Sequence, residues 1–340
     1  MAAIEQAVAL LNACRDLSEE QVQAVVREIL RGEFDEPAVE TVLLGLRAKG
    51  ETASEVAAAA KVLREHMIRW DPGIPGVLDT CGTGGDGSAT FNISTATAFV
   101  VAGAGVPVVK HGNRAVSSRS GSADVLDALG LAVDGNVEHA RQSLREAGVA
   151  FCFAPRFHPA LRHVASLRRR LGVPTIFNCL GPLSNPAGAE HQLLGVGRPE
   201  LLDVMAGALA RLGTARSLVV CGRDGLDEVS LAGPTVVRIV TGNTIEQAEW
   251  TADDFGLPAC SIAELRADDP VASARIIDGV LRGVAGPALN VVLANAAAAL
   301  YAVGRLSTLR EAVAIASQSV DSGEALRAME KLRKLNEAAH

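Results

Sequence analysis

Aromatic side chains are what this chain has least of: eight Phe, two Trp and one Tyr make up 3% of its 340 residues. A protein that holds single-stranded nucleic acid by stacking needs such platforms, and one that grips duplexes needs surplus positive charge. The chain has neither, with 39 Asp and Glu against 32 Lys and Arg and a formal net charge of -7. Its six cysteines (Cys14, Cys81, Cys152, Cys179, Cys221, Cys260) include no CxxC pair, so a zinc cage or a redox dithiol has no local support, and they read as small buried hydrophobes. Long unbroken apolar runs are also missing. Two uncharged stretches, residues 87–109 and 283–304, are interrupted by Asn92, Ser94 and Thr95 in the first and by Gly286, Pro287, Asn290 and Asn295 in the second, which favours buried helices and strands over membrane spans. The opening MAAIEQAVALL has no basic n-region, so no secretory signal is expected and the cytosol is the default compartment.

What is present begins with helices. Ser18 with Gln21 and Thr52 with Glu55 are capping-box pairs, and Pro37 stands where a first helical turn tolerates proline, so four short helices are expected before residue 70. The WDPGIPG loop at 70–76 cannot continue a helix and marks a domain boundary. Beyond it, short β-rich runs (VLDT, VPVVKHG, VAFCFA, LLGVG, SLVVCG) alternate with helical segments, the grammar of a mostly parallel sheet flanked by helices. The C-terminal stretch returns to helices. At about 150 residues per domain, the length suits two domains.

Three segments carry chemistry. DTCGTGGDG at 79–87 lies where a strand gives way to a loop and then a helix, a place where glycines let backbone N–H groups approach a phosphate. Gly82, Gly84 and Gly87 satisfy the GxGxxG spacing of a dinucleotide fold, but the acidic ribose ligand expected about 20 residues on is replaced by Pro107, Val108, Val109 and Lys110. No Gly-Lys-Ser/Thr follows, which excludes a P-loop. The second segment, KHGNRAVSSRSGS at 110–122, joins Lys110 and Arg114 to several serines as a phosphate cradle. Residues 87–123 hold no Asp or Glu where about four would fall by chance, and residues 147–189 hold none either while carrying Arg156, Arg162, Arg168, Arg169 and Arg170. Two positive windows suggest two anionic groups or two anionic substrates. The third segment, DGLDEVS from Asp224, presents Asp227 and Glu228 after a strand, and adjacent carboxylates suit Mg²⁺ completed by substrate phosphates. Of the histidines, His111, His158 and His163 lie near the cationic segments without a paired nucleophile, and His66, His139, His191 and His340 read as structural or surface residues.

Together, GTGGDGSATFNIST at 82–95, KHGNRAVSSRSGSADVLDALG at 110–130, FAPRFHPALRHVASLRRRLGVPTIFNCLGPLSNPA at 153–187 and DGLDEVSLAGPT at 224–235 resemble, in order and over nearly the whole chain, the anthranilate phosphoribosyltransferases. The triple arginine and the Val-Pro before TIFN depart from the commonest family pattern. The resemblance implies Mg²⁺-dependent transfer of the 5-phosphoribosyl group from phosphoribosyl pyrophosphate to the amino nitrogen of anthranilate, with release of pyrophosphate. It implies that phosphoribosyl pyrophosphate is held by Gly82, Gly85, Asp86, Thr90, Asn92, Ile93, Ser94, Thr95, Lys110, His111, Gly112, Asn113, Arg114, Ala115, Val116, Ser117, Ser118 and Ser122. Anthranilate would meet Gly82, Asn113 and Arg168, and Mg²⁺ would meet Ser94, Asp227 and Glu228. Lys110, Asn113 and Arg168 are the expected catalytic residues. The implied fold is a small all-helical domain, residues 1–71 with a returning segment near 166–193, plus a larger α/β domain of residues 72–165 and 194–340, usually dimeric through the helical domain. Pyrimidine-nucleoside phosphorylases share this fold but carry Lys-His-Ser at the lysine segment, so KHGNR favours the transferase. A nucleic-acid-binding relative should be strongly basic, against a pI of about 5.6 here.

Overall fold

The structure, a computed structural model, describes residues 2–114 and 120–338. Four helices come first: α1 (Ala2–Asn12), α2 (Glu19–Arg31), α3 (Glu36–Lys49) and α4 (Ala53–His66). Both capping boxes are made, Ser18 with Gln21 and Thr52 with Glu55, and each satisfies backbone donors that a helix start leaves open. Glu55 does more than cap. Fully buried, it accepts the Leu17 N–H at 2.9 Å and pairs with Lys49 at 3.0 Å, tying the α1–α2 connection to α4.

The alternating part then runs β1 (Leu78–Gly82), α5 (Ile93–Gly103), β2 (Val108–Gly112), α6 (Ser122–Ala128), α7 (Val137–Ala147) and β3 (Val149–Phe153). The chain next crosses back to the first helices as α8 (Ala154–Phe157), α9 (Arg162–Leu171) and α10 (Ile176–Leu180), of which α9 and α10 pack on α2, α3 and α4. It returns to the sheet as β4 (His191–Gly195), α11 (Leu201–Leu212), β5 (Arg216–Gly222), β6 (Thr235–Thr241) and β7 (Thr244–Trp250), and ends with α12 (Ala252–Phe255), α13 (Pro270–Leu281), α14 (Pro287–Ala302), α15 (Leu309–Asp321) and α16 (Glu324–Ala338).

The seven strands lie in the order β3-β2-β1-β4-β5-β6-β7. The first five are mutually parallel, and β6 and β7 add an antiparallel hairpin. Successive side chains point to opposite faces, so Leu193, Leu218 and Val220 enter a core with α5 and α13–α16, while Leu194, Val219 and Cys221 enter a second core with α11 and the N-terminal helices. The long uncharged stretches become α5 and α14, buried helices of 11 and 16 residues, and no helix among the described residues is long and apolar enough to cross a membrane. Strand order reverses at β1, whose neighbours are β2 and β4, and open α/β sheets bind ligands at the C-terminal ends of strands beside such a reversal.

Candidate active site

The C-terminal ends of β1, β2, β4 and β5 surround a cavity of about 340 Å³. Its floor is the glycine loop. A Cβ on Gly82 would stand 2.6 Å from the Asp227 Oδ2, so only glycine leaves room for that carboxylate. Gly84, at φ +66, turns its N–H to donate to the same oxygen at 3.0 Å. The loop is pinned to β4 by the Thr83 N–H, which donates to the Gly195 carbonyl at 2.9 Å.

Ser94, in the first turn of α5, is the node of the site. Its N–H donates to Glu228 Oε1 at 3.1 Å, and its Oγ accepts from the Lys110 ammonium at 3.0 Å. Lys110 is 2% exposed and also donates to the Thr80 carbonyl. A buried cation is thereby fixed between β1 and α5, facing the carboxylate pair. Burial, with Asp86 nearby, holds the Asp227 carboxyl above the usual carboxylate range. Burial and then Asp227 do the same to Glu228, against the opposing pull of Lys110. Asp86 adds a third carboxylate, with Oδ1 accepting the Ser88 N–H at 3.2 Å and a buried Oδ2 that has no hydrogen-bond partner among the described residues.

Three carboxylates against one buried ammonium leave negative charge uncompensated, and the donors are all oxygen, the chemistry of a hard divalent cation. Among the described residues no three or more His, Cys, Asp or Glu form a ready metal cage, so the remaining ligands would come from substrate or water. The residues fit Mg²⁺ on these grounds.

The wall after β2 is braced from below. Asn185 donates to Asp79 Oδ2 at 2.8 Å and to the Val109 carbonyl at 2.7 Å, and Asp79 Oδ1 accepts the His111 N–H at 3.2 Å. Burial raises Asp79 to about 6. The His111 Nδ1 meets the Gly181 carbonyl at 3.0 Å, and its ring packs 4.8 Å from that of His158. Burial pushes His111 down to about 4 and His158 down to about 3, so both are neutral at pH 7.

Of the expected site residues, Gly82, Gly85, Asp86, Thr90, Asn92, Ile93, Ser94, Lys110, His111, Gly112, Asn113, Arg114, Ser122, Asp227 and Glu228 all line this one cavity. Asn92 accepts from the Ser120 and Ser273 hydroxyls at 3.0 Å each, and Arg114 is held at the rim by Asp124 and Asp127. Thr95 does not line the cavity: its side chain is fully buried, and its Oγ1 has no hydrogen-bond partner among the described residues. Arg168 does not line it either. It lies in the last turn of α9 with its guanidinium 5.5 Å from the Phe177 ring centroid, while Arg169 is exposed and Arg170 pairs with Glu36 and Glu40. Ala115, Val116, Ser117 and Ser118 lie outside the described residues.

Comparison with known proteins settles the family. A glycosyl transferase family a/b-domain signature matches residues 75–326, and that family's helical bundle domain matches residues 5–67. Anthranilate phosphoribosyltransferase of Anaeromyxobacter dehalogenans is 50% identical over 332 residues, 98% of this chain and 97% of its own. That of Desulfitobacterium hafniense is 47% identical over 331 residues, 97% and 98% of the two chains. The chain belongs to the anthranilate phosphoribosyltransferase family. The Thermus thermophilus anthranilate phosphoribosyltransferase structure superposes with TM-score 0.91 at 40% identity, covering 99% of this chain and all of that one. The Saccharomyces cerevisiae anthranilate phosphoribosyltransferase, solved in complex with PRPP and Mg, superposes with TM-score 0.90 at 29% identity over 99% and 98% of the chains.

Within this family fold the cavity also takes in residues that sequence reasoning missed. Pro174 and Asn178, from the segment that crosses back to the helices, and Arg198 and Leu201, beyond the end of β4, line it as well. The rule that ligands sit beyond strand C-termini could have found Arg198. Asn178 gave no signal beyond its capping position, where its Oδ1 accepts the Thr175 N–H at 3.0 Å.

Proposed function

We propose that the chain transfers the 5-phosphoribosyl group of phosphoribosyl pyrophosphate to the amino nitrogen of anthranilate and releases pyrophosphate, using Mg²⁺ held by Asp227, Glu228 and Ser94. The observation that carries this is the convergence of the glycine loop, Lys110 and the buried carboxylate pair on one cavity. The yeast relative's complex with PRPP and Mg supports it. Bound Mg²⁺ supplies positive charge to the leaving pyrophosphate.

The protein's part is electrostatic and positional. As the bond from ribose C1 to pyrophosphate breaks, positive charge grows on the ribose and negative charge on the leaving group. Lys110, fixed by Thr80 and Ser94, adds a positive charge that needs no rearrangement during the reaction. The backbone of the glycine loop approaches phosphate oxygens without Cβ atoms in the way. Anthranilate's aromatic amine is neutral at pH 7 and attacks once oriented, so no strong base is required, in keeping with two nearby histidines kept neutral by burial. Asn113 at the rim and Arg168 on α9 would orient anthranilate, with Arg168 reaching the carboxylate as the helical unit closes on the sheet domain and excludes water. We place residues 1–71 and the helices of the returning segment in that moving unit. A second copy docking through the helical domain, as the family resemblance implies, would be read by light scattering as twice the monomer mass.

The test is direct. Protein mixed with phosphoribosyl pyrophosphate, Mg²⁺ and anthranilate should quench anthranilate fluorescence and release one pyrophosphate per anthranilate consumed. Formation of ribose 1-phosphate from a pyrimidine nucleoside, with no loss of anthranilate, would instead show the phosphorylase activity.

A further inference from the structure

A second cavity, of about 240 Å³, shares no lining residue with the first. It lies towards the opposite ends of the strands, lined by Gln192 of β4, Ser217 of β5, the C-terminal part of α11, the 182–190 loop and Arg64 of α4. Arg64 is the feature that asks for an explanation. Its Nε donates to the Leu183 carbonyl at 2.6 Å, yet among the described residues its guanidinium has no ion pair and no other hydrogen bond. Burial, with Arg69 nearby, draws the guanidinium down to about 10, the direction expected of a cation lacking a counter-charge.

Each of the other polar side chains around the cavity makes at least one hydrogen bond within the protein. Glu190 is exposed and accepts the Gly76 N–H at 2.9 Å, Gln192 donates to the Pro182 carbonyl at 2.6 Å, and Thr214 and Ser217 share a hydrogen bond of 2.5 Å. At the last turn of α11 the Gly213 N–H donates to the Leu209 carbonyl at 3.1 Å, and no hydrogen bond from Arg64 reaches this helix end among the described residues. Pro182, Leu209, Leu212, Ala189 and Ala215 supply the rest of the wall. One cation without an ion pair among the described residues, in a chamber whose wall joins polar groups to the apolar side chains of Pro182, Leu209 and Leu212, is complementary to a molecule with one anionic end and an apolar body.

We propose that this cavity binds a small carboxylic acid, its carboxylate on the Arg64 guanidinium and its apolar body against Pro182, Leu209 and Leu212. Such a ligand joins α4 of the helical unit to α11 and the loop that leads into β4. Its occupancy therefore stiffens the helical unit against the sheet, at a distance from the chemistry. A phosphate monoester would satisfy Arg64 equally but leave the apolar wall without a partner, which is why the acid is favoured.

Isothermal titration of the full chain with 3-phenylpropionate tests this, with the neutral 3-phenylpropanamide as the uncharged control and circular dichroism checking the fold of each variant. The wild type should bind the acid and not the amide. Arg64→Gln should weaken binding about tenfold or more, the loss expected when a charged hydrogen-bond donor is removed. Ala189→Leu keeps the cation but fills the chamber; it should weaken binding to the same degree, and it decides the matter if Arg64→Gln does not fold. Arg168→Gln should leave binding unchanged. No heat with the wild type, equal binding of acid and amide, binding that survives Ala189→Leu, or binding lost only in Arg168→Gln would each overturn the proposal.

Discussion

Glu228 shows at the scale of one residue how a functional site opposes stability. Its carboxylate is buried beside Asp227; burial with Asp227 nearby holds Glu228 above the usual carboxylate range, and burial with Asp86 nearby does the same to Asp227. Glu228→Gln keeps an acceptor for the Ser94 N–H and removes one of the repelling charges. The ligand-free variant should melt a few degrees higher, a gain of about 1 kcal/mol, while turnover falls about 100-fold. Thermal melts without Mg²⁺ read the first effect and steady-state rates the second. An unchanged rate would remove Glu228 from the metal assignment. Arg168 makes a different kind of prediction. Because it lies off the cavity wall and stacks on Phe177, Arg168→Ala should raise the KM for anthranilate about tenfold or more and leave the KM for phosphoribosyl pyrophosphate nearly unchanged. The reverse pattern would exchange the two substrate sites.

At the scale of elements, α14 positions the carboxylates. Asn295, in the middle of this buried helix, accepts the Val229 N–H at 2.8 Å and donates to the Val229 carbonyl at 2.9 Å, one residue beyond Glu228. Asn295→Leu leaves both backbone groups unpaired in the interior, at a cost of about 1–3 kcal/mol each. Denaturant unfolding should show the lost stability, and the Mg²⁺ concentration needed for half-maximal rate should rise as the 227–229 segment loosens. Read as sequence, Asn290 and Asn295 only interrupt an apolar run, because a side chain's service to backbone 66 residues away leaves no local pattern. Capping is the opposite case. Ser18 with Gln21 and Thr52 with Glu55 were legible because both partners lie within one helical turn. The glycine loop, the lysine segment and the carboxylate pair were legible for the same reason, each being contiguous. Arg198 and Asn178 were not, since only the reversal of strand order at β1 and the return of the chain to α10 bring them to the cavity. The β6–β7 hairpin was also missed, its TGNT turn at 241–244 outweighed by the parallel grammar around it.

Across the whole molecule, the low aromatic content and the acidic charge balance acquire a place. The acid-free window 87–123 supplies much of the cavity wall, whereas the window 147–189 reaches it only through Pro174 and Asn178, and the carboxylates that do line it are Asp86, Asp227 and Glu228. The buried histidines make part of the stability depend on pH. An unfolded histidine takes up its proton near pH 6.5, whereas His111 and His158 resist protonation until about pH 4 and about pH 3. Below pH 6.5 these two histidines therefore bind fewer protons in the native chain than in the unfolded one, and their own contribution to stability declines as the pH falls towards 4, by up to about 1.4 kcal/mol per pH unit each. Asp79, Asp227 and Glu228, raised by burial, take up protons more readily in the native chain and act in the opposite direction. Urea unfolding of the wild type and of His158→Gln, followed side by side between pH 7 and pH 4, isolates the histidine contribution: the wild type should lose stability relative to the variant as the pH falls, and parallel curves would contradict it.

The central claim is that the buried carboxylate pair and the glycine loop take up phosphoribosyl pyrophosphate together with a divalent cation. Calorimetric titration of phosphoribosyl pyrophosphate into the chain, with Mg²⁺ and then with chelator, tests it most directly. The account predicts tight binding with Mg²⁺ that is lost with chelator and in an Asp227→Asn, Glu228→Gln double variant. Binding of equal strength in all three conditions would contradict it.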